Sequence, residues 1–120
     1  MTGTKIVEKI FHEPNRMAIM SALCAADKAL SFTELKGACN LTDGNLNRHL
    51  KVLQEARAVE IRKSFVDDKP RTTVALSRSG LDRFSEYLQA LAEVLESARK
   101  ALPAEKKKSM AFPWAQTSKA

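Results

Sequence analysis

The spacing of hydrophobic positions along this chain switches between two periods, and each switch marks a new element. From Pro14 onward Met17, Met20 and Leu23 recur at helical spacing toward Ala26, with proline where a first helical turn tolerates it. Ser31-Phe32-Thr33-Glu34 then forms a capping box, in which Ser31 takes an amide proton from the first turn and Glu34 reaches back. The helix it opens is expected to end at Cys39, and Asn40-Leu41 makes a turn before Thr42 caps a third helix. In that helix Leu46, Leu50 and Leu53 fall at i, i+4 and i+7 and form one apolar stripe. The period then drops to two. Val59 and Ile61, and later Val74 and Leu76, alternate with polar residues, and Asp67-Asp68-Lys69-Pro70 between the runs is turn chemistry, so a hairpin is expected. Ser77 caps a last long helix over residues 78–102. The fold class is mainly α with a small β-hairpin.

The third helix carries Gly44, Arg48 and Lys51 opposite its apolar stripe, with Asn45 and Asn47 on the flanks. These groups suit a duplex: Arg pairs bidentately with guanine, Asn with adenine, Lys meets phosphate, and a glycine near the helix start lets backbones approach. Any solvated helix also has a polar face. The order helix, tight turn, basic helix, hairpin favours the first reading, because it presents one helix and one ribbon to DNA.

With these elements the chain resembles winged helix-turn-helix transcriptional regulators of the MarR/ArsR type. The resemblance is carried by His-x-Pro-x-Arg at His12 to Arg16, Ser-Phe-Thr-Glu-Leu-Lys at Ser31 to Lys36, Leu-Thr-Asp-Gly-Asn-Leu at Leu41 to Leu46, Arg-His-Leu at Arg48 to Leu50, and Lys-Pro-Arg-Thr-Thr at Lys69 to Thr73. It spans roughly residues 6–95. It implies that the third helix enters the major groove, with Thr42, Gly44, Asn45, Asn47, Arg48 and Lys51 as reading residues. It also implies a wing that contacts DNA through Lys63, Lys69, Arg71 and Thr72. Two positions depart from the family pattern. Arg57 stands where a glycine at positive φ is usual, and Asp67 and Asp68 occupy the wing tip, where a basic residue or glycine is commoner.

Similar regulators also pack an N-terminal segment at a dimer interface, and Ile6, Val7, Ile10 and Phe11 form an apolar patch at that place. On the last helix Leu81, Phe84, Tyr87, Leu88, Leu91, Val94, Leu95, Ala98 and Leu102 cover an arc of about 160°, wider than the stripe that one packing surface needs. One edge can bury against its own domain while the other meets a second copy, although a helix sunk wholly in its own core would show the same arc. The expected homodimer interface is Ile6, Ile10, Tyr87, Leu91, Val94, Leu95 and Ala98. Residues 1–102 are read as one domain with its dimerisation helix, and 103–120 as a basic flexible tail whose Phe112-Pro113-Trp114 could instead dock on the protein.

Composition adds limits more than direction. With 120 residues and 44% hydrophobic content there is one modest core, and no apolar run approaches the length of a membrane span. Two cysteines without close spacing fit a reduced, cytoplasmic protein. The net charge of +6 suits a polyanion, yet half of the excess lies in residues 103–120, so charge alone is weak support. No phosphate loop, His-Glu-x-x-His, Cys-x-x-Cys or nucleophile elbow is present, and no cofactor or catalytic role is expected. Cys24, Cys39, His12 and His49 are read as buried thiols and helix-surface histidines rather than a metal site, with His49 at the edge of the stripe in a packing or phosphate-contact role. Taken together, the sequence points to a homodimeric repressor that binds a palindromic operator on double-stranded DNA. The alternative is a winged helix used only for protein contacts. No small-molecule effector is readable.

Overall fold

A computed structural model describes residues 8–108. Its elements follow the order α1 (Pro14–Ala26), β1 (Leu30–Ser31), α2 (Phe32–Cys39), α3 (Asp43–Glu55), β2 (Val59–Val66), β3 (Lys69–Leu76), α4 (Arg78–Ala101) and α5 (Ala104–Lys107). The strands form one antiparallel sheet in the order β1-β3-β2, with Leu30 opposite Val74 and Val59 opposite Leu76. This is a winged helix of α+β class. The strand β1, only two residues long, is too short to leave a period in the sequence.

Local chemistry sets the helix ends. Both arms of the Ser31–Glu34 capping box are present, at 3.0 and 2.9 Å. Asn40 closes α2 in the left-handed region at φ 56°, and the Leu41 N–H bonds back to the Lys36 carbonyl, which turns the chain into α3. The same device ends α3 without a glycine. Arg57 stands at φ 63°, its N–H bonds to the Gln54 carbonyl, and the Ala58 N–H bonds to the Leu53 carbonyl. A side chain in this conformation costs about 1 kcal/mol. The surroundings hold it: the Ser77 hydroxyl donates to the Arg57 carbonyl at 2.6 Å and Arg83 donates to the Ala56 carbonyl at 2.9 Å.

The core unites Ile19, Met20 and Leu23 of α1 with Leu35 of α2, Leu46, Leu50 and Leu53 of α3, Val59 and Val74 of the sheet, and Phe84 and Tyr87 of α4. Phe11, fully buried, packs edge-on to Phe84 with ring centroids 5.2 Å apart and lies 5.8 Å from Tyr87. Phe11, expected to seek a partner, is therefore covered by its own chain, and so is Tyr87, which is 1% exposed and hydrogen-bonded to His12, while Ile10 is half-buried against the core. The two rings bury their apolar area inside the protomer, in contact with each other and with Phe84. Ile6 lies outside the described residues.

Beyond Tyr87 the long helix leaves the core. Leu91 still packs against it, while Leu88 and Val94 are 40% and 49% exposed. With extents of 60 × 30 × 28 Å, the described chain is elongated.

Of the two roles read for His49, the structure supports packing. It is 2% exposed and belongs to the packed face of α3, which removes a phosphate-contact role. The Arg16 guanidinium, which can only donate, lies 3.2 Å from Nδ1, so Nδ1 accepts and a neutral ring carries its proton on Nε2. That Nε2 is buried with no hydrogen-bond partner among the described residues. Arg16 also donates to the Ile10 carbonyl at 2.7 Å, while Glu13 caps α1 by accepting the Arg16 amide at 2.8 Å. Burial lowers the His49 pKa below 6.5 against the attraction of Glu13, with Arg48 and Arg16 adding to the lowering. Burial also works against ionisation of Glu13, but the Arg16 amide bond and the nearby charges outweigh it and lower its pKa below 4.5. Cys24 is exposed rather than buried, and Cys39 is half-buried.

A base with a depressed folded pKa stabilises the fold fully above its unfolded value, and that contribution is lost as pH falls below it. The urea midpoint should therefore decline once pH drops below 6.5, and decline again below 4.5 as Glu13 protonates. In His49→Gln the first decline should vanish and the second remain. A wild-type midpoint that stays flat from pH 7 to about 5 would contradict this account of the buried imidazole.

Candidate nucleic-acid interface

The packed face of α3 fixes what its other face shows. With Leu46, His49, Leu50 and Leu53 buried, Gly44, Asn45, Asn47, Arg48 and Lys51 are all exposed. Thr42 caps the helix, its hydroxyl accepting the Asn45 amide at 3.2 Å. The Arg48 guanidinium donates to the Asn45 side-chain oxygen at 3.1 Å, so the two side chains stand as a pair one turn apart. Lys36 of α2 meets Asp43 at 2.7 Å and ties the first turn of α3 to the preceding helix, a surface contact of small energetic weight.

The hairpin extends the exposed surface. Its loop is only Asp67 and Asp68, at φ 53° and 64°, the two consecutive left-handed residues of a type I′ turn. The strands therefore run further than the sequence predicts, because Lys69 pairs with Val66 and Pro70 with Phe65 instead of serving as turn residues. Strand alternation then divides the four wing residues between two faces. Lys63 and Thr72 are partners on the face that carries Val59, Ile61 and Val74 toward the core, whereas Lys69 and Arg71 lie on the opposite face with Arg62 and Ser64.

This division defines two recesses. A cleft of about 780 Å³ is lined by Asn47, Leu50, Lys51 and Gln54 of α3 and by Ile61, Lys63 and Thr72 of the hairpin, with Phe32 at its side. Reading helix and wing meet there. A second recess of about 490 Å³ lies between the start of α2 and the wing, lined by Ser31, Phe32, Thr33, Val66, Lys69, Pro70, Arg71 and Thr72. The structure thus joins Asn47 and Lys51 to Lys63 in the first recess and places Lys69 and Arg71 in the second, with Thr72 and Phe32 lining both.

Two residues of this surface escape sequence reasoning. Gln54 lies two helical turns from Asn47, on the wing side of α3, and that i, i+7 spacing was a usable signal. Phe65, 75% exposed on β2, had none, since an aromatic residue in an alternating strand ordinarily belongs to the core.

The paired helices, the exposed polar face and the hairpin define a winged helix DNA-binding module. The chain matches the family model of the winged helix DNA-binding domain over residues 15–95 and belongs to that family. It is 34% identical over 86 residues to an uncharacterised protein of Methanocaldococcus jannaschii, covering 72% of this chain and 92% of that protein. A transcriptional regulator homologue from Pyrococcus horikoshii shares the fold with a TM-score of 0.72 at 27% identity, over 79% of this chain and 93% of that one. A MarR family transcriptional regulator from Silicibacter pomeroyi has the same fold at 17% identity and a TM-score of 0.61, over 89% of this chain and 70% of that one. Family membership makes this a winged helix DNA-binding protein and not an enzyme. Among the described residues no helix is long and apolar enough to cross a membrane.

Gly44 separates a structural from a contact role. A Cβ built there meets nothing within 4 Å, so the fold itself does not require the glycine. Gly44→Ala should raise stability by up to about 1 kcal/mol, since glycine costs backbone entropy in a helix. It should at the same time weaken duplex binding, because the added methyl stands where α3 would approach DNA. Unchanged affinity in a gel-shift titration would remove the first turn of α3 from the contact.

Proposed function

We propose that this protein is a sequence-specific repressor that binds a palindromic operator as a homodimer and blocks polymerase there. The observation that carries the reading is the cleft in which Asn47, Lys51 and Gln54 of α3 face Lys63 and Thr72 of the wing. A helix seated in a major groove would bring its amides and Arg48 to base edges while Lys63 and Lys51 meet phosphates. Thr42, Gly44 and Asn45 serve the helix start, and Lys69 and Arg71 serve the outer face of the wing.

Dimerisation is assigned to the distal half of α4. Leu88 and Val94 are largely uncovered, Ala98 is exposed, and Leu91 and Leu95 are half-buried, so an apolar edge continues past the point where the protomer stops packing on it. A dyad through this helix would set two copies of α3 against successive major grooves, spaced about 34 Å apart.

Selection of bound duplexes from a random pool tests the function directly, and a single symmetric sequence should emerge. On that sequence Arg48→Ala should cost about 1–3 kcal/mol and relax base preference at one position in each half. An equal loss on random DNA would restrict Arg48 to phosphate contact, and affinity that does not change with salt would favour a protein-interaction module.

The double variant Val94→Glu/Ala98→Glu places charge on surface that is open in the protomer, so the fold should survive while the dimer is lost. Sedimentation at micromolar concentration decides: a folded variant that stays dimeric would move the interface elsewhere.

A further inference from the structure

The hairpin holds one side chain that neither the core nor the charges of the wing account for. Phe65 is 75% exposed near the end of β2, and its cross-strand partner is the exposed Pro70. The adjacent Val66 is 46% exposed on the other face. Beyond Thr73 the strand β3 has no strand neighbour but β2, so residues 62–72 form a two-stranded ribbon that flanks α2 and α3 across the two recesses. Solvent is a poor environment for an aromatic ring in such a place.

The position of the ring says what would cover it. Along the inner face of the ribbon the pairs run Ile61–Val74, Lys63–Thr72 and Phe65–Pro70, passing outward from core to cation to ring. The middle pair lines the cleft shared with Asn47 and Lys51 of α3. Phe65 therefore continues the DNA-facing surface by one more step, about 6.7 Å further along the strand. If Lys63 meets a phosphate ridge, that step crosses the ridge into the adjacent minor groove, which is about 6 Å wide.

Charge narrows the geometry. Asp67 and Asp68 at the turn are repelled by phosphate, so the ribbon cannot lie on the backbone by its tip and must make contact through its stem. The stem carries Lys63 on the face of the apolar pair and Arg62, Lys69 and Arg71 on the other, so cations stand on both faces of the ribbon around an uncharged ring.

We propose that Phe65, backed by Pro70, is a minor-groove wedge that partly unstacks a flexible base step beside the site of α3. This inference rests on the DNA-binding reading above. A wedge of this kind reads deformability: pyrimidine–purine steps open readily and A-tracts resist. Part of the recognition then comes from base pairs that no hydrogen-bonding side chain touches.

The test uses the full chain and two duplexes of equal length, one of alternating A and T carrying 2-aminopurine at its TA steps, the other an uninterrupted A-tract. Wild-type protein should bind the alternating duplex more tightly and brighten its 2-aminopurine as the step unstacks. Phe65→Ala should bind the alternating duplex about tenfold more weakly, with no brightening and little change on the A-tract. Phe65→Leu should keep both signals, because leucine also serves as a wedge. The ring is exposed, so thermal melts of both variants should match the wild type.

A Phe65→Ala variant with wild-type brightening, or with equal losses on the two duplexes, overturns the wedge. An altered sedimentation profile with no change in brightening makes the ring a protein contact and overturns it too. Salt-dependent binding by the wild type in those experiments leaves the DNA-binding reading standing. Failure of the wild type to bind the alternating duplex more tightly than the A-tract overturns the wedge, while the selection of bound duplexes described above decides the DNA-binding reading by itself.

Discussion

What this protein presents to DNA depends on one close backbone approach, between Ala58 and Gly80. A Cβ on Gly80 would lie 2.0 Å from the Ala58 carbonyl oxygen, so no other residue fits at that place without moving the chain. Three elements converge there: α3 has just ended, β2 is about to begin, and α4 makes its first turn under the Ser77 cap. The angle between reading helix and wing is set at this point. The left-handed Arg57 follows from it, because the chain must reverse within a few residues to bring Ala58 under α4, and the hydroxyl of Ser77 and the guanidinium of Arg83 hold the carbonyls that the reversal frees.

The parts of this architecture that were legible in the sequence are those governed by local rules. The Ser31–Glu34 capping box, the Asn40 turn, the Thr42 and Ser77 caps and the leucine stripe of α3 each act within one or two turns of chain, and each is found where the pattern placed it. The misreadings concern partners distant in sequence. Phe11 and Tyr87 have the same apolar signature whether they bury against their own chain or another, and only the fold brings them within 5.8 Å of each other. His49 reads as a surface residue because a helix wheel cannot show that Glu13 and Arg16 of α1 lie against its ring. The turn at Asp67 was read as longer because Lys69 and Pro70 favour loops, yet a type I′ turn needs only two residues and leaves proline paired at the edge of a ribbon.

The wing gains a division of labour from the same alternation. Had the four wing residues shared one face, the ribbon would be a simple cationic finger. Instead Lys63 lies with Thr72 beside α3, and Lys69 and Arg71 lie on the opposite face of the ribbon, next to the start of α2. A ribbon with cations on both faces and carboxylates at its end is suited to insertion between two phosphate ridges, and ill suited to lying flat on one.

Charge also explains why such a module is better used in pairs. One protomer offers Arg48, Lys51, Arg62, Lys63, Lys69 and Arg71 to a duplex, offset by Asp67 and Asp68 at the tip and by Glu60, whose carboxylate holds Arg62 at 3.3 Å. Each neutralised phosphate contributes a salt slope of about −0.9, so on the proposed contacts a single copy with so few unopposed cations would bind weakly at physiological salt. The proposed joining of two copies through α4 would double the phosphate contacts and, more importantly, turn the second docking event into an intramolecular one. On this argument the uncovered apolar edge of α4 and the modest charge of the reading head belong to one design. In the dimer proposed above, the helix face left open by the protomer would supply, through the dyad, the affinity that the proposed DNA-facing surface lacks alone.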